Sequence, residues 1–248
     1  MPSLRGRRWQ TDEAADEEAG DIYLNQSQQL SIRRSRIRVE ILDQFTDAEV
    51  KFELFQRLNT GGTNLSEQEV RNCTIASMSD EKYKRMITMA SYSPFINMTD
   101  VGRNRENRQY RMELVVRFLV LRNYEYQPGT DVHKYLDKGI ITILQQEDFD
   151  WDKEESIFRQ TMDILEDAAG VEAFRRNKRF SLGQFEFTSL GLSKAIETGR
   201  AADGTKIKKK IGGVSALPEA RKYSGMGVGG AQRLSKFIVP VAERYFAS

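Results

Sequence analysis

The chain has 248 residues, 38 Lys+Arg against 36 Asp+Glu, one histidine (His133) and one cysteine (Cys73). That length holds one large domain or two small ones, and 39% hydrophobic with 30% charged residues marks a globular chain on the polar side. One cysteine excludes a disulfide framework, one His with one Cys excludes a Cys/His zinc site, and a net charge of +2 leaves nucleic-acid binding to a local patch.

The first nine residues lack the apolar stretch of a signal peptide. Asp12, Glu13, Asp16, Glu17, Glu18 and Asp21 form an acidic stretch, followed by basic Arg33, Arg34, Arg36 and Arg38. Ile37, Val39 and Ile41 alternate with Arg38 and Glu40, the two-residue period of a half-buried strand over 37–42. A lone strand cannot satisfy its own backbone groups, so it requires partners elsewhere.

Helices dominate from there on. Thr46-Asp47-Ala48-Glu49 is a capping box with Phe45 and Val50 as its hydrophobic staple, and the helix it opens ends near Leu58 at Asn59-Thr60-Gly61-Gly62. The device recurs at Ser66-Glu67-Gln68-Glu69, stapled by Leu65 and Val70. Periodicity predicts further helices over 80–92, 106–124, 131–147, 152–168, 181–198 and 230–246. The segment 109–122 is apolar almost all round, which predicts a central buried helix in which Glu113 and Arg117 pair one turn apart. Its apolar run 114–121 is broken by Arg117 and is too short to span a bilayer, so the expectation is a soluble, cytoplasmic protein with no membrane partner. Ile140-Ile141-Thr142-Ile143 is β-branched, but its surroundings favour helix.

Residues 200–236 carry Lys206, Lys208, Lys209, Lys210, Arg221, Lys222 and Arg233 against Asp203 and Glu219. This basic segment can contact a nucleic-acid backbone, with Lys206, Lys208, Lys209, Lys210 and Arg233 as candidates and Tyr223 as the aromatic available for stacking. Solvated loop charges are the simpler account. The glycines between 225 and 230 read as a linker rather than a phosphate loop, since no clear strand precedes them and no Lys-Ser/Thr pair follows. His133 reads as a surface residue in a helix's first turn and Cys73 as a small core residue. Asp148, Asp150 and Asp152 lack calcium-loop spacing and fit helix-start chemistry.

The most informative stretch is Phe55-Gln56-Arg57-Leu58-Asn59-Thr60-Gly61-Gly62, continued by Leu65, Ser66, Gln68, Glu69, Arg71 and Asn72. On physics alone, Phe52, Leu54, Phe55 and Leu58 are core and Asn59 ends a helix. Equally, Arg57, Asn59, Thr60 and Thr63 around a Gly-Gly turn can hold a phosphate. The stretch resembles the signature of the ParB-like domain at the N-terminus of GmrSD-type restriction enzymes, in which a Phe-x-Arg-Leu-Asn-Thr-Gly-Gly element precedes a Leu-(Ser/Asn)-x-Gln-Glu-(Leu/Val)-Arg-Asn helix start. Glu113-Leu114-Val115-Val116-Arg117-Phe118-Leu119 is similar to that family's central helix, and the resemblance covers roughly residues 1–200.

That resemblance implies a mainly α fold with a small α/β remnant, the C-terminal portion of a ParB-like core followed by a helical bundle. It divides the chain into 1–78 (partial core), 79–200 (helical domain) and 201–248 (basic, Gly-rich segment and C-terminal helix). It implies a bacterial restriction or anti-phage component that senses nucleotide or DNA. The nucleotide ligand would sit on Phe55, Arg57, Asn59, Thr60, Gly61 and Gly62. Phe55 would anchor the helix, Arg57 meet phosphate and Asn59 hydrogen-bond the ligand. A nucleoside triphosphate with magnesium is the implied cofactor, and DNA and a nuclease chain are the implied partners. The family's other element, Asp-Gly-Gln-Gln-Arg, has no counterpart; Ser27-Gln28-Gln29-Leu30 is only an echo of it. The chain is therefore expected to be the C-terminal portion of such a domain, or a split or degenerate member, and not to hydrolyse nucleotide by itself. The alternative expectation is a non-enzymatic DNA- or partner-binding module acting through the basic C-terminal segment.

Overall fold

The computed structural model describes residues 7–9, 23–36, 39, 50, 54, 66–99, 107–200, 203–225 and 227–247. The chain groups into two compact units, residues 1–45 and 46–248, a division that does not coincide with boundaries at 78 and 200.

In the first unit, helix α1 (Gln26–Arg34) is closed by a full capping box, with Asn25 Oδ1 accepting from the Gln28 amide at 2.8 Å and Gln28 Oε1 accepting from the Asn25 amide at 3.0 Å. Arg8 and Tyr23 form a parallel bridge, and the Arg33 guanidinium lies 5.2 Å above the Trp9 ring. The echo Ser27-Gln28-Gln29-Leu30 is thus part of a capped helix. The strand expected over 37–42 lies outside the described residues except Val39, which is exposed and in no strand.

The second unit is helical. Its described elements are α2 (Glu67–Met78), α3 (Asp80–Ala90), α4 (Ser93–Met98), α5 (Asn107–Asn123), α6 (Val132–Gln145), α7 (Trp151–Ala169), a hairpin of β1 (Arg175–Arg176) and β2 (Arg179–Phe180), α8 (Leu182–Glu197), α9 (Gly204–Gly213), α10 (Pro218–Tyr223), α11 (Gly230–Arg233) and α12 (Val239–Phe246). A π-helical turn, Leu234–Ile238, joins α11 to α12. Ser66 caps α2 as expected: its amide donates to Glu69 Oε2 at 2.8 Å and its hydroxyl accepts from the Glu69 amide at 3.3 Å. The capping box at Thr46 lies outside the described residues, although Val50 and Leu54 are helical. The 140–143 stretch is helix, within α6.

Two helices form the centre. Leu114, Val115, Val116, Phe118, Leu119 and Val120 of α5 are all buried, because α2, α3, α6 and α8 surround it. Helix α8 buries Phe185, Phe187, Leu190, Leu192 and Ala195, and it also buries Thr188, Ser189 and Ser193. Those hydroxyls are tolerated because each donates to a carbonyl of its own helix, at 2.8, 2.7 and 3.0 Å respectively. The chain after residue 200 packs back on this core: α9 rests on α7, α12 lies along α8, and the Phe187 and Phe237 rings stack with centroids 4.5 Å apart.

A ladder of charged side chains crosses this interior. Arg71 Nε donates to Asp137 Oδ1 at 2.7 Å, and Arg71 Nη1 donates to Glu113. Arg117 meets Glu113 at 3.1 Å and Glu186 at 2.7 Å, and Arg233 Nε reaches Glu186 Oε2 at 3.1 Å. The expected Glu113–Arg117 pair is therefore the middle of a longer structure. Burial acts to lower the Arg117 pKa, but Glu186 and Glu113 outweigh it and the net shift is upward. Burial pushes the Asp137 carboxyl up despite Arg71.

Two features follow from face rather than from residue type. Cys73 is exposed, not core, because Val70, Thr74 and Ile75 occupy the buried side of α2. His133 is a surface residue as expected, with Nδ1 2.6 Å from Glu67 Oε2. Asp150 caps α7 through the Lys153 amide at 2.9 Å. Among the described residues no helix is long and apolar enough to cross a membrane, and no group of three or more His, Cys, Asp or Glu side chains stands ready to hold a metal.

Candidate nucleic-acid interface

The basic segment is helix, not loop. Asp203 caps α9 through the Lys206 amide at 2.9 Å, and Ile207 and Ile211 turn inward against the core. This amphipathic spacing leaves Lys206, Lys208 and Lys209 exposed. Lys206 Nζ stands 3.8 Å from Asp203, whereas Lys208 and Lys209 have no carboxylate partner among the described residues.

Lys210 and Arg233 serve the fold. Lys210 Nζ donates to the Tyr245 carbonyl at 2.7 Å and lies 3.4 Å from that of Phe246, so it caps the C-terminal end of α12. Burial and the neighbouring Lys206 lower its pKa. Arg233 is held by Glu186 at the end of the ladder. Tyr223 is half-buried, with Lys222 Nζ 5.2 Å from its ring centroid.

Beside α9 stands a basic hairpin that sequence reasoning missed. Arg175 pairs with Phe180 and Arg176 with Arg179, and the turn residues Asn177 and Lys178 have φ of 52° and 63°. Two left-handed residues form the turn that a two-residue hairpin favours, and Asn accepts that conformation more readily than most residues. The usable signal was an Asn between basic pairs, Arg175-Arg176-Asn177-Lys178-Arg179, weakened by the absence of the usual Gly. The register sets Arg176 opposite Arg179, a like-charge cross-strand pair that costs stability when nothing neutralises it.

Hairpin and α9 enclose a cleft of about 620 Å³ lined by Arg175, Arg176, Asn177, Glu172, Gln184, Lys208 and Ser215, among others. None of its three cations has a carboxylate within 4.0 Å among the described residues. Arg176 Nη1 donates to Ser224 Oγ at 2.6 Å and lies 3.3 Å from the Ser224 carbonyl. A second hollow of about 200 Å³ adjoins it, sharing Arg176, Gln184 and Ser215 and adding Arg233 and Ser224.

A third cleft, of about 540 Å³, lies between α2, α3 and α5, lined by Glu69, Asn72, Cys73, Tyr83, Gln109 and Met112. Asn72 Oδ1 is buried there without a hydrogen-bond partner among the described residues, and Arg71 Nη2 is likewise unpartnered. The nearby Ser66 amide and hydroxyl hold the Glu69 carboxyl below its ordinary range. The ligand residues expected from the resemblance, Phe55, Arg57, Asn59, Thr60, Gly61 and Gly62, lie outside the described residues. No family model, curated protein or solved structure matches this chain.

Proposed function

We propose that this chain is a nucleic-acid-binding component of a bacterial restriction or anti-phage system that acts through charge rather than catalysis. The observation carrying this reading is the pairing of α9 with the hairpin. Arg175, Arg176 and Lys208 line one cleft between two ordered elements that also carry Lys178, Arg179 and Lys209, and none of the six meets a carboxylate among the described residues. Unneutralised cations held on a packed scaffold are what a phosphate backbone requires. The defence context, the cytoplasmic setting, the partner nuclease and the ParB-like ancestry of the N-terminal part rest on the resemblance of the segment 55–72.

The test is duplex-DNA affinity as a function of salt. Binding should weaken steeply with ionic strength. Lys208→Gln with Lys209→Gln should lower the log–log salt slope by about 0.9 for each phosphate that is no longer neutralised. Salt-insensitive binding, or none at low salt, would overturn the reading. Lys210→Gln is a poor test, because that side chain caps α12.

A second reading is favoured by the unpartnered Asn72 amide oxygen beside its cleft, in the half of the motif that forms α2. On this reading a nucleoside triphosphate, with magnesium, is held by Arg57 and Asn59 and sensed without turnover, since the Asp-Gly-Gln-Gln-Arg element has no counterpart. NTP hydrolysis by the chain alone should be negligible. Turnover that disappears in Arg57→Ala and Asn59→Ala would refute that expectation.

A further inference from the structure

We propose that the cleft between the hairpin and α9 is a discrete seat for one phosphate group, held by Arg175, Arg176 and Lys208, while the outer lysines of α9 only steer. It deepens the nucleic-acid reading and depends on it only for where the phosphate comes from.

Arg176 carries the argument. Its Nη1 is tied to the Ser224 hydroxyl and carbonyl, which orients the guanidinium plane. Its Nε and Nη2 have no partner among the described residues. Those two nitrogens form the side-on fork that matches two oxygens of a phosphate. A guanidinium already anchored on one edge loses little freedom when the other edge binds, so the ordering cost has been met by the fold.

Two neighbours complete the seat from separate elements. Arg175 lies on the same strand and Lys208 comes from α9 across the cleft. Asn177, Gln184 and Ser215 are neutral polar groups lining it. Gln184 Nε2 gives one of its two hydrogens to the Ile211 carbonyl at 3.3 Å, which fixes this side chain at the wall of the cleft. Glu172 is the acidic residue of the lining and is in ion-pair contact with none of the three cations. The Arg176–Arg179 register gives an independent reason for an anion, since a ligand charge there relieves the cross-strand repulsion.

The experiment is calorimetric titration of the full chain with inorganic pyrophosphate at low salt, repeated in the presence of duplex DNA. We expect saturable one-to-one binding. It should fall about tenfold in Arg176→Lys, which keeps the charge but loses the fork. It should also fall severalfold in Lys208→Gln and stay unchanged in Lys138→Gln, an exposed cation on α6 outside the cleft. If Arg176→Lys lowers the thermal midpoint, Arg175→Gln with Lys208→Gln carries the test without touching the Ser224 anchor.

Competition by DNA identifies nucleic acid as the source of the phosphate. Pyrophosphate binding that DNA does not displace supports the seat, makes a free phosphate compound its ligand, and removes the nucleic-acid reading from this cleft. DNA binding without pyrophosphate binding, or pyrophosphate affinity unchanged in the cleft variants, overturns the seat and leaves the nucleic-acid reading standing. Binding of neither overturns both.

Discussion

Glu197, at the C-terminal end of α8, is the carboxylate whose environment has the clearest pH consequence. It is partly buried, which acts to raise its pKa, yet the Lys153 ammonium at 2.6 Å and the charges of Arg122 and Lys194 hold it at about 2. A carboxylate lowered from 4.5 contributes stability that is present above the unfolded value and lost as pH falls towards the folded one. Glu197→Gln should therefore cost about 1–2 kcal/mol at neutral pH, discounted for its exposure. That deficit should shrink between about pH 4.5 and pH 2, read from urea midpoints across that range. A deficit that stays constant with pH would show that packing, not charge, holds Glu197 in place. Asp137 has the opposite sign, because burial raises its pKa and acidification relieves the cost of keeping it charged. Individual residues were legible in the sequence when their partner lay one helical turn away, as Glu113–Arg117 and Ser66–Glu69 did. Arg71, 1% exposed and bound to residues from two other helices, carried no such local signal. The exposure of Cys73 was equally hidden, since only the helices packed on α2 decide which side of it faces out.

Helices were legible because their signals are periodic and local. The segments predicted from residue 80 onwards all appear, within a few residues of their expected ends, and α5 is central as its all-round apolarity requires. Short elements escaped: α1, α4, α10 and the hairpin are too brief or too polar to show a period, and in α9 Ile207 and Ile211 mark only a single turn. The role of α8 was also invisible, because its buried Ser and Thr look polar in sequence and become core only by bonding to their own backbone. Gly191 shows what that role demands. A Cβ there would lie 2.5 Å from the Ala242 carbonyl oxygen and 2.5 Å from Phe246 Cδ2, so α12 approaches α8 at its glycine. Gly191→Ala gains about 1 kcal/mol of helix propensity but overpacks a backbone contact, and should destabilise by about 1–3 kcal/mol net. Gly204→Ala, with open space at its Cβ, serves as the control and should change little. Urea unfolding at constant slope decides it; a Gly191→Ala variant as stable as wild type would mean that α12 does not press on α8.

For the whole molecule, the near-zero balance of charge gives no global argument for nucleic acid, and the folded chain shows where local imbalance lies. The described residues of 201–248, expected as a basic, Gly-rich segment and C-terminal helix, are held on the core by Ile207, Ile211, Phe237 and Phe246. That packing sorts the basic candidates: Lys206, Lys208 and Lys209 face solvent, while Lys210 and Arg233 bind other parts of the protein. It also brings Arg175 and Arg176, from much earlier in the chain, to the same cleft as Lys208. By itself the sequence determined helical content, most helix ends and the identity of the central helix, because capping and periodicity act within one or two turns. Only the tertiary structure decided which cations face solvent, which are structural, and that hairpin and helix share a cleft. Burial and charge pairing are set by residues distant in sequence, and no local pattern encodes who those neighbours are.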